Sequence, residues 1–450
     1  MSKGKYMKKV IVKLSSIKLN NFKNIEKSEI VFSDKSEIIN TVGIYGQNGS
    51  GKTAVIEAIN VLKSLLIEAS LPVDIDYFIN CQSDSFALEY KFILTREELF
   101  YIVKYYVKIF KNPKNEVYIQ REKIDIFDEK NKLLGYVDFN NSFKKHPIKS
   151  EDLTVNNSIN VITDSMAIAA SQISIKMRKT VLFQDIIRKD IKKSNLIKNI
   201  LSGLSYYGVT NLFVVGMKET SLISAVDSIF LNIRSDIDDN VTSGKLGLNL
   251  LKPTELSSAL LNGVTPALEQ INEVMSKLIP NFKIEFKKIN EEYDKNNRLV
   301  STIQLFSKIN DDVIPFKYES EGIKKLVSLC SAMISMYNNE TVCLVVDELD
   351  SGVFEYLLGA LVKILHRGGK GQLIFTSHNL RLLETLPKHC IVFSTTNSKR
   401  RFVRMANVKP NNNLRDFYLR TILLGGQKEE LYDETDEFKI ERAFRKCQNH

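Results

Sequence analysis

Two short runs of residues have types and spacing that can do chemistry. The first is Gly46-Gln47-Asn48-Gly49-Ser50-Gly51-Lys52-Thr53, a glycine-rich loop closed by a lysine and a hydroxyl. Glycines let backbone N–H groups curl around phosphate oxygens, so Gly46, Asn48, Gly49, Ser50 and Gly51 would cradle a polyphosphate. Lys52 would reach its β- and γ-phosphates, and the Thr53 hydroxyl would ligate Mg²⁺. The second run is Asp347-Glu348, adjacent carboxylates that close the apolar stretch Leu344-Val345-Val346. Asp347, at a strand tip, suits Mg²⁺ either directly or through water. Glu348, one residue on, can polarise an attacking water as general base. The chemistry implied is the binding of a nucleoside triphosphate with Mg²⁺ and attack of water on its terminal phosphate.

The neighbouring elements fit that chemistry. Residues 38–45 are largely apolar, as in a strand covered on both faces. After the loop, Val55, Ile59, Leu62 and Leu66 recur at helical spacing, with Ile56 and Leu65 widening the stripe. Strand, glycine loop and helix follow in the order the motif demands, and the helix adds its positive dipole end to the phosphate site. Residues 10–20 and 27–33 alternate as half-buried strands, and 84–139 reads as further short strands of an antiparallel sheet.

Residues 150–280 read as mostly helical. One helix is expected with Pro253 just inside its start, and another with Leu268, Ile271, Met275 and Leu278 on one face. Sustained heptads are missing, which makes this segment a compact insertion rather than a coiled-coil arm. After Pro280 strands resume. A helix from Glu321, the strand ending at Asp347, a helix over 353–366 and the strand ending at Thr376-Ser377-His378 then alternate as in a parallel α/β sheet. The expected domains are an N-terminal lobe with the phosphate loop and β-subdomain (1–149), the helical insertion (150–280) and a C-terminal lobe (281–450).

Composition narrows the class. At 450 residues, with 44% hydrophobic and 26% charged residues, the chain can bury a large core. It has no run of eighteen apolar residues and no secretory leader pattern, so a cytoplasmic protein without a membrane partner is expected. The five cysteines are scattered and the histidines lack metal-ligand spacing, which argues against a disulfide framework or a zinc site. The net charge of +10 leaves nucleic acid possible as a partner.

The loop alone leaves kinases, GTPases and motor ATPases open. Further motifs resemble the ABC-type ATPases of the SMC, RecF and OLD-like branch. Asp350-Ser351-Gly352 follows Asp347-Glu348 as in that family's dimer-contact loop, and Ser320-Glu321-Gly322, opening a helix, resembles the signature motif of SMC and RecF-like heads. Ser320, the Gly322 backbone and the helix N-terminus make a second anion site. The resemblance implies that this site completes the pocket of a partner head. It also implies that His378 is the switch histidine near the γ-phosphate and the attacking water. Asn21-Phe22-Lys23-Asn24 resembles the end of the family's first strand, which makes Lys23 and Asn24 nucleotide ligands. A Mg²⁺-ligating glutamine from a mobile lobe is implied too, with Gln172 and Gln184 both open. These motifs cover residues 8–68 and 280–395.

Within the branch, the missing heptads argue against an SMC arm, and the 72 residues after His378 are too few for the Toprim domain of OLD-type nucleases, so neither is expected. The tail, with Leu414, Arg415, Tyr418, Leu419, Gly425 and Gly426, resembles that of stand-alone ATPases of bacterial abortive-infection and other anti-phage systems such as PARIS and AbiL. Its apolar positions Leu414, Phe417, Tyr418 and Ile422 also suit plain core packing. The fold class implied is an α/β ABC-type ATPase head with a mixed sheet, an antiparallel β-subdomain and a helical insertion. The implied partners are a second copy, in a homodimer or higher even-numbered oligomer, and a separately encoded effector, nuclease or toxin. The alternative is a RecF-like DNA-repair clamp, using basic clusters such as Arg178-Lys179 or Lys399-Arg400-Arg401.

Overall fold

The computed structural model describes residues 10–140, 153–155, 164–190, 195–216, 228–293, 299–405, 413–424, 429–431 and 436–447, apart from short interruptions at 35–36, 97–98 and 238–239. Strands β1 (Val10–Phe22) and β2 (Ile25–Val31) form a hairpin. A small ribbon, β3 (Ser33–Asp34) and β4 (Glu37–Ile38), leads into β5 (Thr41–Tyr45) and helix α1 (Lys52–Leu66). Next come β6 (Ser85–Arg96), β7 (Leu99–Lys111), β8 (Val117–Phe127), β9 (Leu133–Asn140) and β10 (Leu153–Val155). These strands join the first hairpin in one antiparallel sheet, ordered β10-β9-β8-β7-β6-β1-β2. Alternation does the work here: Val103, Tyr105, Val107 and Ile109 of β7 all point to the buried face.

Helices α2 (Asp164–Met177), α3 (Asp185–Asp190) and α4 (Asn195–Thr210) follow. Then come β11 (Leu212–Val215), the hairpin β12 (Ser228–Ile237) and β13 (Asn240–Asn249), β14 (Thr254–Ser257) and helix α5 (Ser258–Leu278). The C-terminal part holds β15 (Phe282–Tyr293), β16 (Leu299–Ile309), β17 (Asp312–Pro315), α6 (Glu321–Asn338), β18 (Cys343–Val346) and α7 (Glu355–Gly368). It continues through β19 (Gln372–Thr376), α8 (Arg381–Thr385), β20 (Ile391–Ser394), β21 (Phe402–Val403), α9 (Leu414–Leu424) and α10 (Glu437–Cys447). A second sheet, ordered β11-β18-β19-β5-β20-β21, is parallel except at β21. The α/β fold class anticipated from sequence, a mixed parallel sheet with an antiparallel β-subdomain and a helical insertion, is the one observed, with strands added to the insertion.

Helices α2, α3, α4 and α5 make up the larger share of the described residues in 150–280, as read from sequence, but strands β10, β11, β12, β13 and β14, not anticipated, also lie there. Leu212-Phe213-Val214-Val215 is a four-residue run buried on both faces, too short for its period to show. It forms the edge of the parallel sheet beside β18. Pro253 does not open a helix. Thr254–Ser257 pairs instead with β16, and α5 begins only at Ser258. The two expected helical stretches are one helix that carries Pro266 inside it, with Leu268, Ile271 and Met275 buried.

Helix α1 lies between the two sheets and is buried almost all round. Tyr90 of β6 donates its hydroxyl hydrogen to the Ala58 carbonyl at 2.6 Å. On another side α4 comes close enough that a Cβ on Gly208 would sit 2.6 Å from that of Leu66. The sheets are also clipped together. Pairing of β1 with β6 shifts register between Leu14 and Ser16, and the Gln372 amide engages both backbone groups of Leu14, at 2.8 and 2.9 Å. A buried, unpaired peptide group there would cost about 1–3 kcal/mol, which the glutamine averts. Among the described residues no helix is long and apolar enough to cross a membrane.

Candidate nucleotide site

The loop between β5 and α1 adopts backbone angles that suit glycine. Gly46, Gly49 and Gly51 have φ of 153°, 78° and 90°, and Gly51 is the N-cap of α1. A side chain at any of them would be strained, and a Cβ at Gly46 would also lie 2.0 Å from Ser394 Oγ. Ser50 and Ser394 share a hydroxyl contact beneath the loop, and Ser394 Oγ donates to the Tyr45 carbonyl at 3.0 Å. Lys52 curls back over the loop and donates to the Gly46 and Gln47 carbonyls at 2.8 and 2.9 Å. Burial pushes the Lys52 pKa down, and the carboxylates of Asp347, Glu348 and Asp350 oppose that. The two runs read from the sequence are therefore electrostatic neighbours. Thr53 is exposed at the first turn of α1.

Asp347 and Glu348 stand at the tip of β18, next to β19. Thr376 organises both: its hydroxyl donates to Asp347 Oδ1 at 2.6 Å and accepts from the Glu348 N–H at 2.7 Å. The Asp347 N–H donates to the Val215 carbonyl of β11 at 2.9 Å. Glu348 has φ of 47°, a left-handed conformation that costs a non-glycine residue about 1–2 kcal/mol. Lys325 of α6 helps hold it there, donating its ammonium hydrogens to the Glu348 carbonyl and to that of Ser351, the latter at 3.2 Å. Thr376, Val215 and Lys325 were not singled out from sequence. Only Thr376, a hydroxyl closing an apolar strand beside His378, left a signal there.

Ser320 is the N-cap of α6, and its hydroxyl accepts from the Ile323 N–H at 3.3 Å. Gly322, two residues on, packs against the backbone of Gly352, where an added Cβ would lie 2.0 Å from the Gly352 carbonyl oxygen. Ser320-Glu321-Gly322 and Asp350-Ser351-Gly352 thus meet in one surface. That surface carries exposed aromatics: Tyr318 and Phe354 are each 69% exposed and Tyr356 59%. His378 is exposed, and its backbone N–H donates to Asp350 Oδ2 at 3.1 Å.

The remaining candidates hold other partners. Asn24 braces the loop, donating to the Gly49 carbonyl at 2.6 Å. Lys23 pairs with Glu57 of α1 and lies over the Phe78 ring, 5.0 Å from its centroid. Gln184 is buried, and its amide donates to Ala170 and Thr180 carbonyls at 2.9 and 2.7 Å, whereas Gln172 is exposed on α2. The segment before Gln184 is tied to β8 by the buried Glu122 carboxylate, which accepts from Thr180 Oγ1 at 2.8 Å and from the Val181 N–H. In the cluster Lys399-Arg400-Arg401 only Arg401 is withdrawn from solvent. Lys399 faces Glu26 at 3.6 Å, Arg400 pairs with Glu429 at 3.3 Å, and Arg401 is buried, donating to the Asn24 and Thr395 carbonyls at 2.7 Å. In the tail, Leu414 and Tyr418 are buried and Tyr418 stacks on Phe393, while Gly425 and Gly426 lie outside the described residues.

A central parallel strand, a glycine loop on a helix N-terminus, and carboxylates at the tip of the strand next but one in the same sheet define a P-loop ATPase. The chain belongs to the AAA ATPase domain family, whose sequence profile matches residues 13–383. No curated protein matches it in sequence. Among solved structures it is similar to the SMC head domain from Thermotoga maritima (15% identity, TM-score 0.36, covering 88% of this chain and 99% of that one). It is also similar to an Smc head with an extended coiled coil bound to the C-terminal domain of ScpA, derived from Pyrococcus furiosus (12% identity, TM-score 0.43, 88% and 97% covered). A third is the recombination mediator protein RecF-ATPrS of the RecFOR pathway (13% identity, TM-score 0.36, 89% and 100% covered).

Proposed function

We propose that the chain is an ABC-type ATPase head of the SMC, RecF and OLD-like branch that sandwiches ATP between two copies. The observation that carries this reading is the contact of Gly322 with Gly352. It sets Ser320, the N-terminus of α6 and the Asp350-Ser351-Gly352 loop in one aromatic-rich exposed surface. Exposed aromatics beside an anion site suit a partner that brings a phosphate with it.

In each composite site, the loop N–H groups and Lys52 hold the phosphates, and Ser320 with the Gly322 backbone closes the pocket from the other copy. Glu348 polarises the attacking water, and His378 orients it against the γ-phosphate. The Thr53 hydroxyl and the Asp347 carboxylate, both hard oxygen donors, would hold Mg²⁺, with phosphate and water filling its other positions. When bound, Mg²⁺ neutralises charge developing on the phosphates. Asn24 positions the loop, and Lys23 acts through Glu57 on α1.

Hydrolysis is slow in this reading, and ATP-driven closure is the signal that an anti-phage system reads through a separately encoded effector. The resemblance of the tail around Leu414–Leu419 supports that role. A RecF-like DNA clamp has less support, since Arg401 of the Lys399–Arg401 cluster is buried and Lys399 and Arg400 each face a carboxylate. The test is mass measurement of Glu348→Gln with and without Mg-ATP. ATP-dependent doubling is expected, together with turnover reduced by roughly 10²–10⁴-fold. Unchanged mass, or turnover equal to wild type, would remove the closed dimer or the base role respectively.

A further inference from the structure

Helix α10 has an apolar stripe that no described residue covers. Ile440, Ala443, Phe444 and Cys447 follow the i, i+3, i+4, i+7 spacing of a buried helix face, yet none of the residues of α10 is buried. Phe444 is 73% exposed and Ile440 44%. The helix is well started: Asp436 caps it, accepting from the Lys439 N–H at 2.9 Å, and Arg445 pairs with Glu441 on the polar side. Eleven residues are too few to stay helical in water by propensity alone, so the stripe calls for a partner.

A complementary surface lies elsewhere in the same chain. Helices α5, α6 and α7 bound a groove of about 960 Å³ whose walls include Val274, Leu278, Cys330, Met333, Ile334 and Ile364. Its rim carries Glu269 and Glu273, one helical turn apart on α5 and both exposed, with Lys277 a further turn along. The polar side of α10 is basic, with Lys439, Arg442, Arg445 and Lys446 against Glu437 and Glu441. A helix with such anchors laid in an apolar groove with an acidic rim is a recurrent mode of recognition.

The tether favours a groove on another molecule. Leu431 is buried beside the turn that follows β20, where Glu430 accepts from the Thr396 N–H at 3.2 Å. That turn lies at the phosphate-loop end, since Arg401 in it packs on Gly51. The α6 groove residues Cys330, Met333 and Ile334 fall in the middle and later turns of that helix, away from Ser320. The step from Leu431 to Asp436 spans at most about 18 Å, and in the structure no residue of α10 is buried or lines the groove of its own chain. Among the described residues nothing in the single chain covers either surface. We propose that α10 of one copy seats in the α5–α6–α7 groove of a second copy, a nucleotide-independent interface distinct from the ATP sandwich.

Cys447 on the stripe is exposed and serves as a built-in probe. The full chain carrying Ile364→Cys, oxidised without nucleotide, is expected to form a disulfide-linked dimer on a non-reducing gel. Adding Cys447→Ser should abolish that dimer, which excludes Cys81 as its source. Ile364 is 54% exposed, so the change spares folding. A disulfide only within one chain, or none at all, overturns the proposal. In sedimentation without ATP, Phe444→Asp is expected to weaken self-association at least about 10-fold, and an unchanged profile overturns it. Binding of wild type to phosphatidylserine vesicles that Phe444→Asp abolishes, with sedimentation unchanged, would assign the helix to a lipid surface instead. Because ATP is absent throughout, none of these results touches the reading of the nucleotide site.

Discussion

The two halves of the candidate site are built in opposite ways. The phosphate loop is local: eight consecutive residues, three glycine φ values and a lysine that bonds its own loop make nearly all of it. The acid and signature side is assembled from four distant segments, with Thr376, Val215, Lys325 and the Gly322–Gly352 contact fixing two carboxylates and one serine. A local site should fail at the residue changed. An assembled one should also fail through residues that never touch the nucleotide.

The largest effect is expected on the local side. Lys52→Ala should weaken ATP binding by roughly 100-fold, as loss of a charged hydrogen-bond donor to phosphate implies, with little change in melting temperature. Titration calorimetry reads both partners directly. Near-normal affinity would mean that Lys52 stays on the Gly46 and Gln47 carbonyls when ATP is bound.

Gly322→Ala tests the assembled side. The added Cβ must push the Gly352 carbonyl away, at a cost of about 1–3 kcal/mol. Melting temperature and turnover should fall together while ATP affinity holds. If stability drops but turnover does not, the Gly322–Gly352 contact is only packing.

Lys325→Met keeps the stem and removes the ammonium that ties α6 to the Glu348 and Ser351 carbonyls. Turnover should fall roughly 10-fold with ATP affinity unchanged, as measured by steady-state kinetics beside nucleotide titration. A fall in affinity alone would blur the contrast between the halves. The smallest effect belongs to Asn24→Ala, which removes one hydrogen bond to the Gly49 carbonyl. About 1 kcal/mol, or roughly 5-fold in ATP affinity, is expected, with turnover at saturation unaltered.

The same contrast explains what the sequence could reveal. Residues 46–53 were legible because glycine, lysine and hydroxyl at fixed spacing dictate their own conformation. Asp347-Glu348 was legible as acids ending an apolar strand. The strand β11 was not, since four apolar residues fit a helix as well as a buried strand, and its place beside β18 depends on pairing across more than a hundred residues. Lys325 read as an ordinary helix lysine, because nothing local marks a side chain that bonds carbonyls of another segment. Lys399-Arg400-Arg401 looked like a surface patch for a related reason: its partners Glu26, Asn24 and Glu429 lie far away in the chain. Pro253 misled because a proline before Thr254–Ser257 opens a strand as readily as a helix.

Complementation between two disabled chains most directly tests the central claim, that one copy's Ser320 serves the other's nucleotide. Ser320→Arg keeps its own phosphate loop, Asp347 and Glu348, while Glu348→Gln keeps an intact Ser320. Each alone should turn over ATP poorly. Mixed in equal amounts they should regain activity, up to about one quarter of wild type, because half the dimers then hold one complete site. Wild-type turnover by Ser320→Arg alone, or a mixture no more active than the sum of its parts, would contradict the shared site.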